Sequence, residues 1–378
     1  MTKIIYADNA ATTRLDPDAY EAMKPFLLSE FGNPSNNYSF SRVPRIALND
    51  ARQIIADCIG ANHDEIVFTS GGTEGINWAI KGTALKNKVE NTHIITSSFE
   101  HHAVLHSCSF LERIGYDVSY LPIDRKGYIS KDSLREYLRP ETKLVSVMLA
   151  NNEIGTIQDI KGISEITRSS RSVMHTDAVQ AVGHIPIDVN CFDIDLLTAS
   201  AHKFNGPKGV GFNYVKRGTE LYNLISGGKQ ENGLRAGTEN ITGIVGMAVA
   251  LKKNCEIMNE NMIYLNQLTR IIPTMLNDLG VDFLENGGAN RLPGSLSISI
   301  KDQEGDSIMH QLDLKGIIIS TGSACTSGIT KVSHVIKAIN VPKEYANGTI
   351  RISFNKENII EDALEIGNAL VSIVKNAK

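Results

Sequence analysis

Short apolar runs that end in polar or glycine residues alternate with stretches of helical periodicity, and this alternation constrains the fold most tightly. "EIVFTS" leads into "GGTEGINWAIKGTAL", "HIITSS" into "EHHAVLHSCSFLERIG", and "KLVSVMLA" into "NNEIGT" and "ISEITRSS"; "VMHTDA" and "DLLTASA" follow. Ahead of them, Val43, Ile46, Ala47, Ala51, Ile54, Ile55, Cys58 and Ile59 recur at helical spacing and predict an amphipathic helix over 43–59. Such alternation predicts an α/β fold with a mainly parallel sheet covered on both faces. Ligands bind these sheets at the carboxyl ends of the strands. The site is therefore expected at Gly71–Thr73, Glu100–His102, Asn151–Glu153, Asp177–Gln180 and Ser200–Lys203.

The pattern changes after "GIVGMAVALKKNCEIMNENMIYLNQLTRIIPTMLNDLG", a long helical region in which Pro273 is expected to introduce a kink or a break. Beyond it come a strand "SLSISI", a helix "DSIMHQLDLKG", an apolar run "IIIS", a helix "VSHVIKAIN", a strand "TIRISF" and a final helix from Ile359. These predict a smaller α+β domain of residues 1–15 plus 257–378 beside a large α/β domain of residues 16–256. A chain of 378 residues with 42% hydrophobic content has enough apolar surface for both cores.

A net charge of −4 gives no basic excess to attract nucleic acid. No apolar run approaches the roughly 20 residues a bilayer requires, and "MTKIIYADNAATTRLD" is unlike a secretory signal. A soluble, cytoplasmic chain is expected. The five cysteines are scattered without a C-x-x-C pair, which argues against a disulfide framework or zinc ribbon. Cys58 and Cys255 lie in apolar helical contexts where cysteine serves as a small hydrophobe. Cys325 stands apart, in "GSACTSG", among residues too small to bury it.

Lys203, in "SAHKFNGPKG", directly follows the strand "LLTASA". It is either a surface lysine snorkelling from a strand end or an amine held in a cleft, able to form a Schiff base with an aldehyde cofactor. Ser200 and His202 flank it as phosphate-type donors. Asp177, in "HTDAVQAVG", is either a helix N-cap or the acid that keeps a pyridine nitrogen protonated, as pyridoxal phosphate requires. "TSGGTEGIN" passes through Gly71 and Gly72 into a helix whose exposed N–H groups favour an anion, and Thr73 adds a hydroxyl. His101 and His102 have no third ligand at metal spacing, so no metal is expected; the His101 imidazole suits stacking on an aromatic cofactor.

Together, "YADNAATT", "FGNPS", "FTSGGTEGIN", "EHHAVL", "ANNEIGT", "HTDAVQAVG", "SAHKFNGPKGVG", "GLRAGTENI", "LPGSLSIS", "STGSACTSG" and "GTIRISF" occur in an order that resembles the NifS/IscS-type cysteine desulfurases. These belong to the class V branch of fold-type-I pyridoxal-phosphate enzymes. The resemblance spans nearly the whole chain. It implies that Lys203 binds the cofactor and moves the substrate Cα proton, that Asp177 pairs with the pyridine nitrogen, and that His101 stacks over the ring. It places Gln180 and Asn152 near the phenolic oxygen and Gly72, Thr73, Ser200 and His202 around the phosphate. Thr238 matches the residue lent to a partner subunit's phosphate, implying a homodimer. Arg351 would grip the substrate carboxylate, with Asn152 beside it; the plain alternative for Arg351 is a strand-face ion pair.

Cys325 matches the catalytic cysteine that takes sulfur from L-cysteine as a persulfide, leaving L-alanine. The sulfur would pass to an acceptor protein, an iron–sulfur scaffold or a tRNA- or cofactor-thiolation enzyme. The sequence departs from the family pattern at Tyr38, where a histidine is usual, and at Lys331 and Val332, in place of an acidic residue and proline. Asn355 and Lys356 stand for Gly-Arg. These departures leave the cofactor set intact and bear on the acceptor. A selenocysteine lyase, an aminotransferase, and a catalytically silent scaffold or sulfur-relay protein are the alternatives on the same fold.

Overall fold

The computed structural model describes residues 4–86, 92–321 and 332–376, so Cys325 and Lys331 lie outside the described residues. The chain enters on the short strand β1 (Ile5–Tyr6). Seven strands then build one sheet: β2 (Ile66–Thr69), β3 (His93–Ser97), β4 (Asp117–Leu121), β5 (Thr142–Ser146), β6 (Val173–Asp177), β7 (Leu196–Ser200) and β8 (Gly211–Val215). Their order is β2-β8-β7-β6-β5-β3-β4. Only β8 runs against the rest, pairing antiparallel with β2 and β7; the remaining pairs are parallel. The mainly parallel sheet expected from the alternation is thus present. Strands β3 and β7 are buried along their whole length, as a sheet covered on both faces requires, whereas the edge strand β4 exposes Asp117.

Helices α1 (Pro17–Leu28), α2 (Arg42–Ile59), α3 (Gly72–Lys86) and α4 (His102–Arg113) flank the first strands, and local signals bound two of them. Asp16 caps α1 by accepting the Asp18 N–H at 2.9 Å, and Pro17 occupies the first helical position. Helix α2 covers the predicted periodic stretch and stops at Gly60, whose φ of +70° favours glycine. Helix α3 lies almost on the sheet, because a Cβ on Gly75 would sit 2.2 Å from Asn213 Oδ1 and 2.7 Å from Thr198 Cγ2. That close approach sets the amino end of α3 at the carboxyl ends of the central strands.

A second sheet is antiparallel, with β9 (Phe283–Glu285), β10 (Ser295–Ile300) and, later in the chain, β12 (Thr349–Ser353) in the order β12-β10-β9. Between them β11 (Ile317–Ile318) pairs in parallel with β1. The helices Met258–Asp278 and Ile360–Asn376 cover this sheet with Leu268, Ile272, Leu276, Ile366 and Leu370, which form a core with Ile298, Ile350 and Ile352. A separate core surrounds the seven-stranded sheet, and Val335, Ile336 and Ile339 belong to it.

The long helical region does divide, but at Ile257 rather than at Pro273, which lies inside the uninterrupted helix Met258–Asp278. Burial of Leu268, Ile272 and Leu276 to either side of the proline holds the helix across the hydrogen bond that proline cannot donate.

One ion pair is buried deep between elements. Arg52 of α2 meets Glu231 through Nη1–Oε2 at 2.6 Å and Nη2–Oε1 at 2.8 Å, with the side chains 8% and 2% exposed. Glu231 Oε2 also accepts the Phe68 N–H, which fixes the 231–235 turn against β2. Glu231→Ala strands the Arg52 charge, and a loss of about 3–5 kcal/mol is expected by urea denaturation. A loss below about 1 kcal/mol would show that the pair carries no more than a surface bridge does.

Candidate active site

The carboxyl ends of the parallel strands and the amino end of α3 open on one cavity of about 600 Å³. Gly72, Thr73, His101, Asn152, Asp177, Gln180, Ser200, His202, Lys203 and Arg351 all line it, so these separate stretches meet where the strand-end rule put them. Thr238 does not line it; that residue is exposed elsewhere on this chain. Cys325 belongs to the segment outside the described residues.

Lys203 follows β7 in a single turn of tight helix, and its Nζ donates to the carbonyls of Ala10 and Ala11, each at 2.7 Å. Gln180 Nε2 donates to the same Ala10 carbonyl at 2.9 Å. His202 Nδ1 lies 3.1 Å from Thr12 Oγ1, and the His202 carbonyl accepts from both the N–H and Oγ1 of Thr13. One wall of the cavity is therefore the backbone at Ala10 and Ala11, held in place by the Thr12 and Thr13 contacts to His202. Sequence reasoning missed this wall as a set of contacts, although "YADNAATT" stood out as a stretch. Carbonyl oxygens leave no trace in side-chain identity.

Asp177 ends β6, only 4% exposed, with Oδ1 accepting the Val179 N–H at 2.9 Å. The residues after it form turns and not a helix, so the carboxylate closes a turn in place of the expected N-cap, while its place in the cavity is realised. Burial pushes its carboxyl up to about 6, against the opposing pull of the Lys203 cation and the Val179 N–H. His101 caps α4, its Nδ1 accepting the Ala103 N–H at 3.1 Å, which leaves the ring proton on Nε2. Burial first, then the Lys203 cation, holds this imidazole down at about 4, so it is uncharged near neutrality. Burial and the nearby lysines Lys203 and Lys208 hold His202 at about 4 as well.

Arg351 of β12 reaches in from the other sheet, 5% exposed. Its Nη2 donates to Asp8 Oδ1 at 2.7 Å and its Nη1 to the Asn152 carbonyl at 2.9 Å, while Nε is buried without a partner among the described residues. The strand-face ion pair and the cavity position thus coexist. Glu153, one of the strand-end residues expected at the site, also lines the cavity, as does His334, which was not singled out from sequence. Burial lifts Glu153 to about 7, and His334 Nε2 contacts the Glu100 carbonyl at 2.9 Å.

Pyridoxal phosphate fits this donor set. Gly71 has a φ of +145°, and a Cβ on Gly72 would stand 2.8 Å from Val179 Cγ2, so both positions suit glycine, and the space at the start of α3 faces helix N–H groups that favour a phosphate. Thr73, Ser200 and His202 border that space, and a buried carboxyl at Asp177 suits a cationic ring nitrogen.

Residues 5–365 match the family Aminotransferase class-V. A cysteine desulfurase IscS from Dictyoglomus turgidum is 48% identical over 96% of this chain and 92% of its own length. Among solved structures, a NifS-like protein superposes with a TM-score of 0.93 at 35% identity, covering 99% of this chain and 100% of that one. SspA in complex with cysteine gives 0.84 at 38% identity, over 94% of this chain and 100% of its own.

The raised value of Asp177 has a stability consequence with a definite sign. The folded chain holds this proton more tightly than the unfolded chain, so the contribution of Asp177 falls as pH rises from about 4 to about 6. Above that range the buried carboxylate costs on the order of 3 kcal/mol in the cofactor-free chain. Asp177→Asn is expected to raise the denaturation midpoint of cofactor-free protein at pH about 8, with the gain disappearing near pH about 4. An equal gain at both values would discard burial as the cause.

Proposed function

Since the chain belongs to the class-V aminotransferase family, we propose that it is a pyridoxal-phosphate-dependent cysteine desulfurase acting on L-cysteine. The observation that carries this reading is the meeting of Lys203, Asp177, His101 and Arg351 in one cavity, fed from two sheets. Bound pyridoxal phosphate supplies an electron sink for bonds at the substrate's Cα and Cβ. Asp177 would hold the ring nitrogen, neutral His101 would cover the ring face, and Gln180 and Asn152 would lie beside its phenolic oxygen. Gly72, Thr73, Ser200 and His202 would hold the phosphate. Lys203 would anchor the aldehyde carbon and move the proton at the substrate Cα. Arg351 would bind the α-carboxylate.

The Cys325 thiolate then attacks the substrate sulfur, forming an S–S bond as the C–S bond breaks. L-cysteine and the Cys325 thiol become L-alanine and a Cys325 persulfide, so one sulfur atom moves and the sum balances. The sulfur would pass to an acceptor protein serving iron–sulfur clusters or thiolation, without direct contact to nucleic acid. No helix among the described residues is long and apolar enough to cross a membrane, and we place the reaction in the cytoplasm. We divide the chain into a large domain of 16–256 and a small one of 1–15 plus 257–378; most of the small domain's buried side chains form their own core, while Leu292, Val335, Ile336 and Ile339 pack into that of the large one.

A homodimer belongs to the same reading. Phe31 and Phe40 stack edge-on at 5.0 Å yet are 71% and 46% exposed, and Leu28, Val43 and Ile46 are exposed in the same stretch of chain. A stretch this rich in exposed apolar side chains suits a partner. Exposed Thr238, outside its own cavity, suits the phosphate site of a second copy.

Purified protein given L-cysteine is expected to release L-alanine in step with protein-bound persulfide, read by mass spectrometry. Lys203→Ala should lose the visible absorbance of the bound cofactor, and Cys325→Ser should keep it while losing alanine release. Undiminished alanine release from Cys325→Ser would overturn the sulfur-transfer role. For assembly, light scattering should show a dimer for the native chain and a monomer for Phe31→Asp. A native monomer at micromolar concentration would remove the homodimer.

A further inference from the structure

Arg351 does not point freely into the cavity. Its backbone exchanges hydrogen bonds with Ser320, the N–H of Arg351 donating at 2.7 Å and that of Ser320 at 3.1 Å. Its guanidinium is gripped at one nitrogen by Asp8 and at the other by the Asn152 carbonyl. Asp8 is itself fixed: its carbonyl accepts from the Tyr6 hydroxyl at 3.1 Å and from the Ala11 N–H at 3.0 Å. The Asp8–Arg351 pair is largely out of water, with side chains 17% and 7% exposed, so its geometry is held rather than sampled. Each gripped nitrogen carries a second N–H, and the buried Nε–H has no partner among the described residues. The fork is turned by the protein while donors stay available for a further acceptor.

We propose that Asp8 is a positioning residue that orients the Arg351 guanidinium and thereby sets the preference of the cavity for ligands with an α-carboxylate. This rests on reading Arg351 as the carboxylate clamp. An arginine binds a carboxylate in two parallel bonds only when its plane is correctly turned. A long side chain released from Asp8 would spread over several rotamers and pay ordering entropy on each binding event. A second role for the same carboxylate makes the opposite prediction: if Asp8 merely neutralised Arg351, its removal would tighten carboxylate binding.

The test compares L-alanine with L-alaninamide, which lacks the carboxylate, by titration calorimetry on the cofactor-loaded enzyme, alongside KM and kcat for L-cysteine. Asp8→Ala is expected to weaken L-alanine binding and raise KM roughly tenfold, with kcat changed far less. Binding of L-alaninamide and the visible absorbance of the cofactor should not move. Asp8→Asn keeps an acceptor oxygen in place and should recover part of the loss; if Asp8→Ala does not fold, a loss of about threefold in Asp8→Asn, confined to L-alanine, carries the expectation. Equal losses for both ligands would reduce Asp8 to a structural residue and overturn the proposal, as would unchanged or tighter L-alanine binding. A native enzyme that does not distinguish the two ligands would instead discard the reading of Arg351 as a carboxylate clamp, and this proposal with it.

Discussion

Fixed backbone carbonyls are what the rest of the site leans on. The strip from Asp8 to Thr13 runs between the two sheets: the Asn9 N–H bonds the Ser353 carbonyl in β12, and Thr13 bonds the His202 carbonyl just after β7. Pinned at both ends, it presents the carbonyls of Ala10 and Ala11 to Lys203 and Gln180, and the Asp8 carboxylate to Arg351. A carbonyl does not titrate and cannot swing, so it fixes an amine's position at little entropic cost. The lysine from one sheet and the arginine from the other therefore share one frame.

Burial decides the charges inside that frame. Asp177, Glu153 and Glu100 are pushed up to about 6, 7 and 8, and His101 and His202 are held near 4, with desolvation the largest cause in each case. The Lys203 cation is close enough to pull Asp177 down, yet burial outweighs it. Glu100 shows how such a group is retained: Ser97 donates to its carboxyl, and the Met148 N–H bonds it at 3.0 Å. The outcome is a cavity with uncharged imidazoles and a carboxyl poised to gain from a cationic partner.

Much of this was legible beforehand, for identifiable reasons. Side chains that end strands in a parallel sheet are forced to one edge, so Thr73, His101, Asn152, Asp177 and Lys203 could be grouped without knowing any distance. Helix α2 could be bounded because its apolar face and Gly60 both speak locally. The break in the long helical region was misplaced because proline is a local signal, and a buried face overrode it. His334 went unremarked because it looks ordinary in its own stretch and acquires meaning only through what lies across the cavity.

The order of strands and helices, the glycines that admit an anion and the residue types around the cavity were determined by the sequence alone, since each depends on neighbours a few positions away. Tertiary structure alone decided that Asp8 faces Arg351, separated by 343 positions in the chain, and that the Ala10 carbonyl meets Lys203, 193 positions on. It also set the proton affinities, because desolvation is a property of everything packed around a group. Local periodicity records which face of an element is buried; it holds no record of which distant backbone atom that burial brings within 3 Å.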